Sequence, residues 1–303
     1  MKTAFEFRPG IMADRASEQA IGFLIQQGIE NADCLSLAAG FVDPVTLPVD
    51  LIRESVDRVL GHTDTGRAAL QYGTTSGAEH LRMTFRRHLA DLEGPYSHMA
   101  NVAPDRLMLT TGSQQMLALV SQAIFDPGDI CLVAAPTYFV YLGVLDGVGA
   151  EAVPVHTDDD GMCPRALDET LSRLNDEGRL PRVKVVYVVS YHDNPGGIML
   201  SEARRPELLE VIRKWSRDHK IYLLEDAAYR ELHYDGPVLP SIWSFDRDGA
   251  CGEHTILTQT FSKSFSPGLR VGVSVLPEEL VKPVSDLKGN EDFGSGHLSQ
   301  HVV

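Results

Sequence analysis

The middle of the chain alternates between two kinds of segment, and that alternation restricts the fold more than any other feature. Short runs rich in β-branched residues occur at 106–110, 130–134, 152–156, 183–189, 221–225, 255–258 and 271–276. Between them lie stretches with helical spacing of apolar residues. Residues 50–60 put Leu51, Ile52, Val56, Val59 and Leu60 on one stripe, and 206–218 do the same with Leu208, Leu209, Ile212 and Trp215. Pro206 suits a first helical turn. Strands alternating with helices predict an α/β fold with a mostly parallel sheet. The runs are apolar throughout, which suits strands covered on both faces. Such sheets bind ligands at the carboxyl ends of their strands, so the residues just after each run are the ones to search for chemistry.

Composition narrows the function. With 303 residues, 43% of them hydrophobic and 23% charged, the chain can bury a large core without disulfides or metal. Its 27 basic and 42 acidic residues give a net charge of −15, which disfavours nucleic acid and anionic membrane surfaces as partners. No apolar run is long enough to span a bilayer, and the first residues lack the apolar stretch of a secretory signal. Cys34, Cys131, Cys163 and Cys251 form no CxxC pair and read as reduced thiols of a cytoplasmic protein, not as a zinc site. The 11 histidines show no metal-ligand spacing. Residues 1–48, with a helical stretch near 17–28 and a turn at Val42-Asp43-Pro44, read as an arm outside the sheet. A helix begins at 277–287.

Five segments that follow predicted strands carry the candidate chemistry. In 259–272, Lys263 is flanked by Ser262 and Ser264, with Arg270 seven residues on. A lysine amine condenses with an aldehyde cofactor, and hydroxyls with a guanidinium hold a phosphate. The segment alone is also compatible with a solvated Ser/Lys loop. In Leu107 to Gln115 a strand runs into Gly112 and a helix begins at Ser113, giving either a helix N-terminus for a phosphate or a simple Ser113 N-cap. Asp226 ends an apolar strand, where a buried carboxylate needs a partner: a pyridinium N–H or an ordinary cap or ion pair. Tyr229 is three residues on. Asn194-Pro195-Gly196 offers a side-chain amide for a phenolate oxygen, or only a turn. Tyr138 after Pro136-Thr137 can stack on a flat ring, or pack at a helix start.

Taken in order, these pieces resemble the class I/II aminotransferases, pyridoxal 5'-phosphate enzymes of fold type I, nearest the branch with α-aminoadipate and kynurenine aminotransferases. The resemblance rests on Tyr72-Gly73, Gly77, Leu81-Arg82, Gly112-Ser113-Gln114-Gln115, Pro136-Thr137-Tyr138, Asn194-Pro195, Asp226 with Tyr229, and Ser262-Lys263 with Pro267-Gly268-Leu269-Arg270. It implies amino transfer from an L-amino acid to a 2-oxo acid through a Schiff base at Lys263. It further implies Asp226 on the pyridine nitrogen, Asn194 and Tyr229 at the phenolic oxygen, and Tyr138 stacked on the ring. Ser113, Gln114, Thr260, Ser262 and Arg270 would hold the phosphate. Tyr72 would reach the cofactor phosphate of a second copy in a homodimer, and Gly40, with Asn194, would meet the substrate.

Three features depart from that pattern. Asp193-Asn194-Pro195-Gly196-Gly197 stands where the family usually has Gln-Asn-Pro-Thr-Gly, and Thr260 where serine is more frequent. The family's carboxylate-binding arginine belongs to a C-terminal small domain, and no residue here matches it. The expected division is therefore an arm at 1–48, a cofactor-binding large domain at 49–285, and the start of a small domain at 286–303. The same apparatus also supports β-elimination, decarboxylation or ring closure, or cofactor binding with little activity. A ligand-sensing transcription regulator fits the acidic chain poorly.

Overall fold

The structure is a computed structural model. It describes residues 8–15, 20–31, 33, 35, 42–247 and 251–303. Two helices, α1 (Ile11–Arg15) and α2 (Ala20–Glu30), precede α3 (Val49–Leu60), α4 (Thr63–Ala69) and α5 (Glu79–Glu93). The strands then follow: β1 (Leu107–Thr110), β2 (Ile130–Ala135), β3 (Glu151–Asp158), β4 (Gly161–Met162), β5 (Val183–Val189), β6 (Tyr222–Asp226), β7 (Thr255–Thr260) and β8 (Gly272–Val275). Helix α6 (Ser113–Ile124) connects β1 to β2, α7 (Phe139–Val148) connects β2 to β3, α8 (Pro164–Asp176) leads to β5, and α9 (Arg204–Trp215) leads to β6. After β8 come α10 (Glu278–Glu291) and α11 (His297–Val302).

The strands form one sheet in the order β1-β8-β7-β6-β5-β2-β3-β4. Strands β3, β2, β5, β6 and β7 are parallel neighbours, while β8 lies antiparallel between β7 and β1. Two reversals restore the direction, so β1 points the same way as β7. The carboxyl ends of β1, β7, β6, β5 and β2 therefore share one edge. The start of β8 lies on that edge too, which explains how Arg270, two residues before β8, joins residues that follow strands.

Alternation along each strand sorts side chains between two faces. Met108, Cys131, Val133, Val185, Tyr187, Leu224 and Ile256 pack against buried residues of α6, α7 and α10. Ile130, Leu132, Val186, Val188 and Leu223 meet Leu167, Leu171 and Leu174 of α8 and Leu208, Leu209 and Ile212 of α9. Leu107, Leu109, Leu257 and Val273 meet Leu81, Phe85 and Leu89 of α5. Burial of a side chain of this size is worth about 1.5–3 kcal/mol.

Seven of the eight strands follow the sequence pattern. The two-residue β4, paired antiparallel with β3, is too short to show a period. Helix α9 ends at Trp215, before the expected 218. The stripe on α3 forms a helix, but Leu51 is 52% and Leu60 42% exposed, and Val59 is the residue of α3 that is buried.

Candidate active site

Asp226 is the last residue of β6, in the middle of the sheet, and is 4% exposed. Its Oδ2 accepts a hydrogen bond from the Tyr187 hydroxyl at 3.0 Å, and its Oδ1 accepts one from the Ala228 N–H at 3.1 Å. Among the described residues no basic side chain forms an ion pair with it. Burial consequently pushes its carboxyl up to about 6, against the pull of the Tyr187 hydrogen bond. Glu225, its neighbour, points to the opposite face. There it accepts from the Ser190 hydroxyl at 2.7 Å and from the N–H groups of Ile242 and Trp243, with Arg205 3.8 Å away.

Lys263 follows β7 and stands at the same edge, its Nζ 5.6 Å from the centre of the Tyr229 ring. Burial, and then the Arg270 guanidinium nearby, lower its amine below the usual lysine range. Tyr229 is half-buried, and its hydroxyl accepts from Asn194 Nδ2 at 3.4 Å. Tyr138 opens α7 as its N-cap and packs against the core below. Burial, followed by the neighbouring Asp226 charge, pushes its hydroxyl up to about 12, so it is a neutral phenol at physiological pH. Asp193 is also raised to about 6, by burial and by Asp226, and its buried Oδ1 has no partner.

An anion cradle lies on the other side of Lys263. Thr260 Oγ1 and Ser262 Oγ are 3.0 Å apart, and Arg270 donates to Ser262 Oγ at 3.3 Å and to the Thr111 carbonyl at 3.4 Å. Arg270 itself sits in the left-handed region, φ 53°. Gly112 is the N-cap of α6, with φ 74° and ψ 166°. A Cβ there would lie 2.7 Å from an Arg270 nitrogen. Across the cradle, a Cβ on Gly272 would lie 2.8 Å from the backbone of Gly112 and Ser113. These two glycines let β1, β8 and the guanidinium converge on the start of α6. Ser113 and Gln114 are the first two residues of that helix, whose leading N–H groups carry its positive end. Ser113 is thus not the N-cap: Gly112 takes that position, because the backbone there needs a conformation that only glycine adopts cheaply.

The structure brings together Lys263, Asp226, Tyr138, Asn194, Tyr229, Thr260, Ser262, Arg270, Ser113 and Gln114 at one edge of the sheet. Tyr72 stands apart, 85% exposed and 6.2 Å from the Phe293 ring. Gly40 lies outside the described residues, as does Cys34. Sequence reasoning missed Tyr187, although a hydroxyl inside the otherwise aliphatic run 183–189 signals a buried partner. Among the described residues no group of His, Cys, Asp and Glu is placed to hold a metal ion, and no helix is long and apolar enough to cross a membrane.

Comparison with known proteins identifies the family. The family "Aminotransferase class I and II" matches residues 32–303, and the chain belongs to it. It is 33% identical to aromatic-amino-acid aminotransferase 1 of Thermococcus litoralis, over 91% of this chain and 62% of that protein. It is 29% identical to 2-aminoadipate transaminase of Thermus thermophilus, over 89% of this chain and 62% of that protein. The crystal structure of Pyrococcus horikoshii kynurenine aminotransferase, in complex with PMP, superposes with a TM-score of 0.81 at 31% identity, covering all of this chain and 68% of that one. The chain spans about three fifths of the length of the curated relatives it matches.

The donor set fits pyridoxal 5'-phosphate. Asp226 is a buried carboxylate lacking a cationic partner, as a pyridinium N–H requires. The cradle of Thr260, Ser262, Arg270 and the α6 N-terminus is anion-binding and closes around the space a Gly112 Cβ would enter. Lys263 offers an amine of lowered basicity between the two.

Proposed function

We propose that this protein transfers the amino group of an L-amino acid to a 2-oxo acid, with pyridoxal 5'-phosphate as its cofactor. One observation carries the reading: a buried carboxylate with no cation, a lysine of lowered basicity and an arginine-lined cradle share the edge where the parallel strands end. When bound, the cofactor supplies an aldehyde carbon for amines and a ring that accepts the electrons released at the substrate Cα. Asp226 would hold a proton on the ring nitrogen. Asn194 and Tyr229 would donate to the phenolic oxygen, and Tyr138 would stack on the ring. Ser113, Gln114, Thr260, Ser262 and Arg270 would hold the phosphate.

Lys263 Nζ would take up the proton released at the substrate Cα. That task needs a neutral amine, and burial together with Arg270 favours the neutral form. Gly40 and Asn194 are assigned to the substrate. An arm at 1–48 and a cofactor-binding domain from 49 go with this reading, since the sheet lies wholly within 107–275, but the expected boundary at 285/286 falls inside α10, so that helix stays with the cofactor-binding domain.

Two finer assignments belong to the same proposal. The protein acts as a homodimer in which Tyr72 reaches the partner's cofactor phosphate. Exposed Phe293, whose ring centre is 6.2 Å from that of exposed Tyr72, supports it, since such apolar surface favours being covered. The location is the cytoplasm, which suits the free thiols of Cys131, Cys163 and Cys251.

A panel of amino donors with 2-oxoglutarate as acceptor tests the activity. Formation of the pyridoxamine form of the cofactor with a new 2-oxo acid supports amino transfer. Release of ammonia or carbon dioxide in its place points to elimination or decarboxylation on the same site.

A further inference from the structure

The Thr111–Gly112 turn joins β1 to α6 and forms one wall of the cradle, yet neither element's own ladder holds it. Its backbone groups are satisfied separately. The Gly112 N–H donates to the Thr110 carbonyl at 2.8 Å, and the Gly112 carbonyl accepts from the Thr110 hydroxyl at 2.8 Å. The Thr111 carbonyl takes Arg270. The Thr111 N–H donates to Gln115 Oε1 at 2.9 Å. The amide of Gln115 therefore faces its oxygen toward Thr111, and its nitrogen donates to Asp292 Oδ2 at 2.8 Å. Both oxygens of Asp292 accept from Lys288 Nζ, at 2.7 and 2.8 Å.

We infer that Lys288, Asp292 and Gln115 are positioning residues that hold the Thr111–Gly112 turn in the shape the cofactor phosphate requires. The inference rests on the pyridoxal-phosphate reading above. Lys288 is a completely buried residue of α10, the helix that packs on α6, and an apolar residue there would avoid the desolvation that an ammonium incurs. Its pairing with Asp292 fixes a carboxylate at the C-cap of α10. That carboxylate fixes which way the Gln115 amide points, and the amide oxygen fixes a backbone N–H one residue from the cradle's glycine. The chain leaves Asp292 through Phe293 at φ 61°, a left-handed conformation that a bulky residue keeps only when its surroundings impose it. Thr75 Oγ1 donates to the Phe293 carbonyl at 3.0 Å and supplies part of that constraint. The C-terminal end of α10 thus reaches the phosphate side of the site without touching the ring side.

The test compares pyridoxal 5'-phosphate with pyridoxal, the same aldehyde lacking the phosphate. Both are titrated into wild-type protein, Gln115→Leu and Asp292→Asn, reading the visible absorption band and the mass gained after borohydride reduction. Gln115→Leu leaves the Thr111 N–H unpaired and is expected to lower the preference for the phosphorylated form by about 10- to 100-fold, with pyridoxal binding within about threefold of wild type. Asp292→Asn, which keeps an acceptor but not the charge, should shift the preference the same way by about 3- to 10-fold, and it decides the matter if Gln115→Leu does not fold. Equal weakening of both aldehydes, or an unchanged ratio, overturns the relay while leaving the cofactor reading intact. A wild-type protein that binds neither aldehyde overturns both.

Discussion

Asp226→Asn should stabilise the cofactor-free protein at alkaline pH while weakening its hold on the cofactor. In the cofactor-free protein the carboxyl is raised from 3.8 to about 6. The folded state then binds this proton more tightly than the unfolded chain does. Its contribution is fully present below about pH 4 and is lost as pH rises through about 6. A shift of about 2 units corresponds to about 3 kcal/mol at pH 8. Asparagine does not titrate, yet it keeps both hydrogen bonds: its oxygen accepts from the Ala228 N–H, and the Tyr187 hydroxyl rotates to accept from its nitrogen. Urea unfolding of the cofactor-free proteins should therefore show nearly equal stability at pH 4 and a gain for the variant approaching 3 kcal/mol at pH 8. Asp193 titrates in the same range and is raised in part by the Asp226 charge, so its carboxyl should fall in the variant and add to the gain at pH 8. With pyridoxal 5'-phosphate the gain should shrink, because the variant lacks the charge for the ring nitrogen; its Kd should rise about 10- to 100-fold, which offsets about 1.4–2.7 kcal/mol of it. A gain that is the same at both pH values would refute the account of Asp226 as a carboxylate held without a cation.

Three further outcomes follow from the geometry. Lys263→Ala should show no mass gain after incubation with pyridoxal 5'-phosphate and borohydride, and its turnover with any amino donor should fall at least about 100-fold; full turnover would remove Lys263 from the chemistry. Gly112→Ala places a Cβ 2.7 Å from Arg270 at φ 74° and should cost about 1–3 kcal/mol in urea unfolding, with weaker cofactor binding. Tyr187→Phe removes the hydrogen bond that holds Asp226 down, so the carboxyl should rise above about 6; the pH at which the cofactor-free protein loses stability should move upward, and an unmoved profile would separate Tyr187 from Asp226.

Much of this was legible because parallel strands buried on both faces are written as unbroken apolar runs. Their ends are therefore visible, and Asp226, Lys263, Asn194 and Tyr138 could be found by looking there. The antiparallel placement of β8 was not legible: a run such as 271–276 reads the same in either direction. The role of Gly112 as N-cap was hidden because a serine in the next position offers a plausible cap, and only the backbone angles decide. Gln115 and Asp292 are separated by 177 positions, so nothing local in either stretch announces their contact. The apolar stripe of α3 is visible in the sequence, but periodicity does not say what covers Leu51 and Leu60.

The out-and-back course of β7 and β8 ties the amine of residue 263 and the guanidinium of residue 270 to one short length of chain. A protease cut between them would free each to drift from the other while leaving most of the sheet paired. A cut at the exposed bend around Gly178, on the far rim, would spare both. Limited digestion could thus uncouple cofactor retention from folding, and anyone permuting the termini of this scaffold should open it at that distant bend.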